Sequence, residues 1–374
     1  MQVIADRAGV SRVTVSHILG GKFAARYKEA TRERVQQLAQ ELNYRPNRAA
    51  QTIKNGRSNL IAIVHFGAGI EAAYKTNHAL AHAITEKGFD YFALDMNWYG
   101  NNVDRALSEI IRIRVEGVII SHIQPVFTEK HIRELQDSGI PVVGVNGQPS
   151  VNFSLICDDA AGATRQLTEH LIKGGKRTIL YLSPMISREP GNLNSRPEGR
   201  IQGFSQAIKR QGEYFTVSED EFLKRCRELL HNPKKGVKGI HVVQDTELYS
   251  KVDKPVYRFC SRLFAEKRRL PDAIMCRNDF YAIELFATAM EYGIRIPEDL
   301  AVTGYDNDQL GSFAAFGVTT AEQNTQEMCT TAVDVLLKQI ACPGSAYRTV
   351  TIPSKLIIRT SCGGKRTPST GAVP

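Results

Sequence analysis

The chain has 374 residues, 42% of them hydrophobic and 23% charged, with no apolar run long enough to span a bilayer and no signal-peptide pattern; this excludes a bundle of membrane helices and points to two or three globular domains. Its seven cysteines are odd in number and scattered, without a C-x-x-C pair, which argues against a disulfide framework or a zinc site and for a reducing cytoplasm. The net charge of +9 is unevenly placed: residues 1–58 hold 11 Lys and Arg against 4 Asp and Glu, and the remainder 37 against 35, so a small basic module for a polyanion sits on a near-neutral body.

The first elements are two short helices, expected over Gln2–Ala8 and Arg12–Leu19. Ile4 and Ala8 share a face, and Ala5 is small enough to let a neighbouring helix come close. Gly9 falls where the turn needs a left-handed backbone, and Ser11 is a good N-cap for the second helix. In that helix Val15, Ile18 and Leu19 face inward, while Arg12, Val13, Ser16 and His17 point away. An αα-hairpin of a bundle would not need such an outer face; a helix-turn-helix entering a major groove would. Arg12 suits a guanine edge, Val13 a thymine methyl and His17 a purine acceptor, with Thr14 and Ser16 available to phosphates or bases.

A third helix is expected over residues 29–44, with Val35, Leu38, Ala39 and Leu42 as its apolar stripe. After it, "RPNRAAQTIKNGRSN" (45–59) has a helix-starting Pro46, small Ala49 and Ala50, and Asn55-Gly56 as a stop. This segment has almost no apolar face and should order only against DNA or a symmetry mate.

These stretches carry a resemblance. "ADRAGVSRVTVSHIL", "ATRERVQQLAQELNYRPNRAA" and "GRSNLIAIV" are similar, nearly position by position, to the headpiece and hinge of the lactose and purine repressor family of bacterial transcription regulators. The resemblance implies a homodimer on a near-palindromic operator, with hinge helices paired in the minor groove and an apolar side chain wedged between base pairs. Ile53 stands where the family has leucine. The DNA-contacting set is then Ser11, Arg12, Val13, Thr14, Ser16 and His17 in the headpiece and Asn47, Ala50 and Ile53 in the hinge. Met1 stands where relatives have further residues and a helix cap, so the first helix is expected to fray or the chain to start upstream.

From residue 60, buried strands alternate with helical patterns: "LIAIV" (60–64), "YFALD" (91–95), "GVIIS" (117–121), "PVVGV" (141–145), "TILYL" (178–182), "GIHVV" (239–243), "DAIMC" (272–276) and "LAVTGY" (300–305). The expectation is an α/β core of two Rossmann-like lobes with parallel sheets and a cleft at the strands' carboxyl ends. "RPEGRIQGF" (196–204), "DAIMCRNDFYAIELFATAMEYGIRIPEDLAVTGYDN" (272–307) and "VTTAEQN" (318–324) extend the same resemblance, implying a periplasmic-binding-protein-like effector core. It implies three crossings between lobes near Asp158, Gln323 and Val350. One lobe would hold residues 59–158 and 324–349, the other 159–323 and 350–360, with a disordered tail over 361–374. It further implies that Arg200 and Asp306 hold hydroxyls or a carboxylate of a small effector, with Asn278 lining the cleft. Independently, a sugar-like effector wants an aromatic platform, for which Tyr74 and Trp98 are candidates. Each has a plainer alternative: Trp98 as packing, Tyr74 as cover for a helix, Arg200–Asp306 as a structural salt bridge, and Asp158 as a cap or crossover residue. The stretch from Phe204 to Pro271 is longer than usual for the family, so no contacts are carried over there.

An enzyme alternative rests on Gly67, Gly69 and Ala72, a G-x-G-x-x-A after a strand with Asp95 ending the next strand, as in nicotinamide-dependent oxidoreductases. His65 and Phe66 separate the glycines from the strand, and no hydride-transfer constellation follows. There is no G-x-S-x-G and no H-E-x-x-H, so no catalytic residue, cofactor or metal is expected. A free-standing solute-binding protein of the envelope would share the body but have no use for the headpiece. The expected function is an effector-controlled DNA-binding regulator, most simply a repressor answering to a sugar.

Overall fold

The computed structural model describes residues 1–20, 23–44, 57–66, 71–100, 102–122, 127–147, 152–184, 196–231, 233, 235–244, 255–265 and 269–364. The chain divides into two compact units, Met1–Asn59 and Leu60–Pro374.

The first unit holds α1 (Gln2–Ala8), α2 (Arg12–Leu19) and α3 (Glu29–Glu41). Gly9, at φ 68°, ends α1 and donates its N–H back to Ala5 and Asp6, a left-handed turn that a side chain would strain. Ser11 Oγ accepts the Thr14 N–H at 3.1 Å and so starts α2. Met1 precedes α1 without a side-chain cap. Ile4, Ala5, Ala8, Val15, Ile18, Val35 and Ala39 form the buried core, with Leu19, Leu38 and Leu42 only partly covered. Four of these are large aliphatics, worth on the order of 6–12 kcal/mol of burial before chain entropy is set against them. Helix α3 stops at Glu41 rather than Tyr44, because Asn43 turns left-handed at φ 48° and the Tyr44 N–H returns to the Ala39 carbonyl at 2.8 Å.

The second unit is built on two parallel sheets. In chain order its first part runs β1 (Leu60–His65), α4 (Glu71–Glu86), β2 (Asp90–Asp95), α5 (Val103–Ile113), β3 (Gly117–Ser121), α6 (Glu129–Asp137), β4 (Val142–Val145) and β5 (Ser154–Asp158). Then come α7 (Ala160–Lys173), β6 (Thr178–Pro184), α8 (Arg196–Lys209), β7 (Gly212–Ser218), α9 (Glu219–Lys224), β8 (Val237–Gln244), α10 (Pro255–Ala265), β9 (Ala273–Cys276), α11 (Asp279–Glu291) and β10 (Ala301–Thr303). The chain closes with β11 (Thr320–Glu322), α12 (Thr325–Ala341), β12 (Thr349–Ile352) and β13 (Lys355–Ile357).

The six-stranded sheet has the order β12-β5-β4-β3-β1-β2, the five-stranded sheet β10-β9-β6-β8-β7, and β11 pairs antiparallel with β13. Both large sheets are covered on two faces, which is why their strands read as continuous apolar runs. In β1, Ile61 and Ile63 pack under α4 and α12, while Ala62 and Val64 pack under α5 and α6. In the second sheet, Ile179 and Tyr181 face α7 and α8, while Leu180 and Leu182 face α9, α10 and α11. A Cβ at Gly203 would lie 2.1 Å from the Ala161 carbonyl oxygen, so α7 and α8 meet backbone to backbone. β1 has β2 on one side and β3 on the other, and β6 is flanked by β8 and β9. Each is a switch point where successive crossovers part and leave a crevice at the carboxyl end.

Two expectations change. Residues 350–352, expected with the second lobe, instead lie in strand β12, which completes the first sheet with Val350 opposite Ile156, and the chain leaves that sheet only after Ile352. Its T-V-T-I sequence is mostly exposed and lies at an edge, so it carries little apolar signal. The tail expected to be disordered from residue 361 is anchored at its start: Ser361 is buried, donates to the Val302 carbonyl at 2.6 Å and accepts the Thr319 N–H at 2.8 Å.

Candidate functional site

The headpiece presents α2 as its outer face. Val15 and Ile18 anchor the helix, leaving Arg12 exposed and Val13 57% exposed. Among the described residues Arg12 has no hydrogen bond or ion pair, so its guanidinium is available to a base edge or a phosphate. Ser11 is half committed to its cap, and its Oγ also lies 3.0 Å from the Thr14 hydroxyl, which holds Thr14 near the helix start. Ser16 is half-buried. His17 departs from expectation. Its Nδ1 lies 2.8 Å from the Tyr27 hydroxyl, and its ring sits edge-on to Phe23 at 4.9 Å. Only the far ring nitrogen of His17 is left for a base. Arg26 lies over Phe23 at 4.5 Å, placing another cation beside α2. The aromatic pair four residues apart in "KFAARYKE" was the available sign of this support. Asn47, Ala50 and Ile53 lie outside the described residues.

In the second unit the expected effector residues divide. A cavity of about 900 Å³ is lined by Tyr74 and Lys75 of α4, by Asp306 and Asn307 after β10, and by Gln323 and Ser354 on the crossing segments, among others. Arg200 is 7% exposed and stacks on the Tyr305 ring at 3.7 Å. Its Nη2 lies 3.4 Å from Asp306 Oδ1, and its Nη1 donates to the Arg277 carbonyl. Asp306, at φ 100°, holds a backbone conformation that is uncommon without glycine, and Gln323 Nε2 donates to its carboxylate. Tyr305 in turn donates to Asp158 at 2.6 Å, so Asp158 supports the floor while its neighbour Asp159 caps α7. Arg200 and Asp306 thus form an ion pair, and Asp306 itself reaches the cavity.

Tyr74 is 66% exposed on the cavity rim with its ring stacked near His78, whereas Trp98 is 88% exposed in the turn after β2 and lies apart from the cavity wall. Asn278 is taken up locally: its side chain accepts the Tyr281 N–H at 3.1 Å and caps α11. The glycine turn of the enzyme alternative falls outside the described residues, apart from Ala72 in α4, and Asp95 accepts the Asn97 N–H at 3.0 Å in its own turn. Among the described residues no group of three or more His, Cys, Asp or Glu is placed to hold a metal ion.

Sequence reasoning missed a tie across the cavity. Lys75 donates to the Asn307 carbonyl at 2.9 Å and pairs with Glu71 at 2.9 Å, and Glu71 accepts the Gln309 N–H at 2.8 Å. The first-sheet helix α4 thereby grips the loop that follows β10. Buried carboxyls lie beneath that loop. Burial pushes Asp279 up to about 8, and burial with the charge of Asp306 pushes Asp308 up to about 6. Asp279 accepts the Asp308 N–H at 2.8 Å, fixing the loop from below.

Comparison with known proteins follows the same division. Residues 1–47 match the bacterial regulatory proteins of the lacI family. Residues 74–228 match the periplasmic binding proteins and sugar binding domain of the LacI family, and residues 168–362, more than half of the chain, match the periplasmic binding protein-like domain. The chain is 25% identical over 364 residues to the HTH-type transcriptional repressor PurR of Haemophilus influenzae (strain ATCC 51907), covering 96% of this chain and 97% of that protein. Among solved structures it is similar to the lac repressor dimer bound to operator and the anti-inducer ONPF, with TM-score 0.71, 22% identity and coverage of 96% and 97%. It is also similar to a complex of the transcriptional regulator CelR with cellobiose, with TM-score 0.62, 21% identity and coverage of 96% and 98%.

Proposed function

We propose, on the premise that this chain belongs to the lactose and purine repressor family of bacterial transcription regulators, that it represses transcription from a near-palindromic operator and that a small polyhydroxy effector in the core cavity sets its affinity for DNA. The catalytic alternative is set aside, since the family matches and the relatives are DNA-binding repressors.

The observation that carries this reading is the division of labour between the two units: an outward recognition helix on its own small core, and a polar cavity with Asp306 at its wall. A homodimer would set two copies of α2 in successive major grooves, with the hinge residues Asn47, Ala50 and Ile53 ordering between them on the minor groove. An effector held by Asp306 and Arg200, with Tyr74 and Asn278 nearby, would change how the two sheets approach each other. That bias would couple effector and DNA affinities by about 1–3 kcal/mol. A sugar is the favoured class, because Asp306, Gln323 and Asn324 line the cavity with groups suited to hydroxyls. CelR, with its bound cellobiose, supports that choice; the likeness to PurR makes a purine the second class to test.

The test is a thermal-shift screen of the full chain against sugars, sugar derivatives, nucleobases and nicotinamide cofactors. Each binder is then titrated against operator DNA selected from a random pool. A sugar that raises Tm and moves DNA affinity supports the reading; a nucleobase doing so replaces the sugar with a purine. A pool that yields no enriched near-palindrome overturns it.

A further inference from the structure

Beyond the residues discussed so far, the carboxyl end of the second sheet gathers a set of hydrogen-bond donors. Residues alternate across the sheet, and Ile179 and Tyr181 of β6 and Ala273 and Met275 of β9 face α7 and α8. Tyr181 is opposite Met275 on one side and His241 on the other. By the same alternation Ser183 and Arg277 come next on that face, at the switch point of β6 and under Arg200 of α8.

The hydrogen-bonding state of this set is one-sided. Tyr181 is 2% exposed, and its hydroxyl has no partner among the described residues; the Nε of Arg200 has none either. Arg277 is half-buried, and its guanidinium has no ion-pair partner among the described residues. Burial pushes the Tyr181 hydroxyl up to about 12 against the pull of Arg200 and Arg277, so it remains a neutral donor. Burial lowers His241 to about 4, leaving it uncharged, with its Nε2 2.8 Å from Ser183 Oγ. Among the described residues the carboxylates beside Arg200 and Tyr305 are already engaged: Asp306 with Arg200 and Gln323, Asp158 with the Tyr305 hydroxyl. Among the described residues, what is left over is a guanidinium, a second guanidinium's Nε–H and a phenolic O–H, all donors, with the charge of Arg277 not matched by an ion-pair partner.

We propose that this set is an anion subsite of the effector pocket, in which Arg277, with the Arg200 Nε–H and the Tyr181 hydroxyl beside it, receives a carboxylate or phosphoryl group, so that the effector is an anionic polyol. The proposal rests on the reading of the cavity as the effector site and adds a specificity residue, Arg277, that lies outside the cavity wall. The chemistry is that of acceptor-only groups: a carboxylate or phosphoryl oxygen offers lone pairs to every donor present and charge to Arg277. A neutral sugar would leave that charge unmet. Arg200 connects the two parts, since its Nη2 faces Asp306 on the cavity wall while its Nε–H belongs to the subsite.

The experiment uses inorganic phosphate as its first probe. The Tm of the full chain is measured in phosphate and in chloride at matched ionic strength, for the natural chain, Arg277→Gln, Arg277→Lys, Tyr181→Phe and the exposed control Arg112→Gln. Phosphate is expected to raise Tm beyond chloride in the natural chain and in Arg112→Gln, less in Arg277→Lys and Tyr181→Phe, and not in Arg277→Gln. Should Arg277→Gln not fold, the reduced phosphate response of Tyr181→Phe decides the matter. Glucose, gluconate and glucose 6-phosphate then compete with phosphate, separating a carboxylate from a phosphoryl preference. A phosphate response equal in the natural chain and in both Arg277→Gln and Tyr181→Phe, or absent from the natural chain, overturns the subsite. A neutral sugar that moves DNA affinity equally with and without Arg277 also overturns it while leaving the effector reading intact. A phosphate response lost in Arg277→Gln, with no anionic polyol moving DNA affinity, keeps the subsite and overturns the effector reading.

Discussion

Arg12 and Asp279 show how much one side chain's surroundings decide. Arg12 stands on the outer face of α2 with its guanidinium uncommitted among the described residues, so its whole donor capacity is available to DNA. Arg12→Ala is expected to weaken specific binding by roughly 1–3 kcal/mol and to relax preference at one base pair, as read by selection from a randomised operator. A uniform loss across sequences, with a shallower salt slope, would make it a phosphate contact instead. Asp279 is the opposite case, fully buried and raised to about 8. An unfolded aspartate titrates near ~3.9, so between about pH 4 and pH 8 the folded chain keeps a proton that the unfolded chain releases. This contribution to stability is complete below about pH 4 and is lost as pH rises through 8, with Asp308 acting likewise up to about 6. Asp279→Asn can still accept the Asp308 N–H, so its Tm should fall less than that of the natural chain between pH 5 and pH 8.5. Parallel falls in the two proteins would remove Asp279 as the source.

Elements differ in what they make legible. Helices α1 and α2 could be read to the residue because Gly9 and Ser11 punctuate them and their apolar positions serve one small core. The buried central strands were legible for the reason that buried parallel strands are, since both faces demand apolar residues. Strands β5, β7, β11, β12 and β13 were not anticipated: β7, β12 and β13 carry mostly exposed or half-exposed side chains, β11 is three residues long, and β5 mixes Ser154 and Asp158 into its run. At the site, Arg200 and Asp306 could be found from the resemblance, but the Lys75 tie and the donor set around Arg277 could not, because each joins side chains from elements far apart in sequence. The tie invites its own test. Its ion pair is roughly a third exposed on each side and is worth at most about 1 kcal/mol, so Lys75→Met should barely move Tm. It should nevertheless alter the ratio of DNA affinities with and without effector, by up to about fivefold, if α4 and the loop after β10 part during the response. An unchanged ratio would make the tie a static brace.

At the scale of the molecule the two compact units carry separate cores, so removing residues 1–59 should leave the calorimetric transition of the core in place while abolishing operator binding. A core that melts at a clearly lower temperature after the truncation would show that the headpiece helps to hold it. The arrangement of the first sheet reaches further, into how the protein is made. The face formed by Ile61, Ile63, Ile119, Val143 and Ile156 is closed by α12, whose Met328, Cys329, Val333 and Leu336 pack onto it, and the free edge of β5 is closed by β12. Both covers are encoded after the whole of the second sheet. On a ribosome adding about 5–20 residues per second, the first sheet therefore waits roughly ten to forty seconds with this face covered only by α4 and with an open edge, while its later neighbour emerges and completes its own sheet. Within the core, synthesis begins with one lobe and folding finishes with it, which makes the nascent chain, more than the finished protein, the stage at which this fold is most exposed to aggregation.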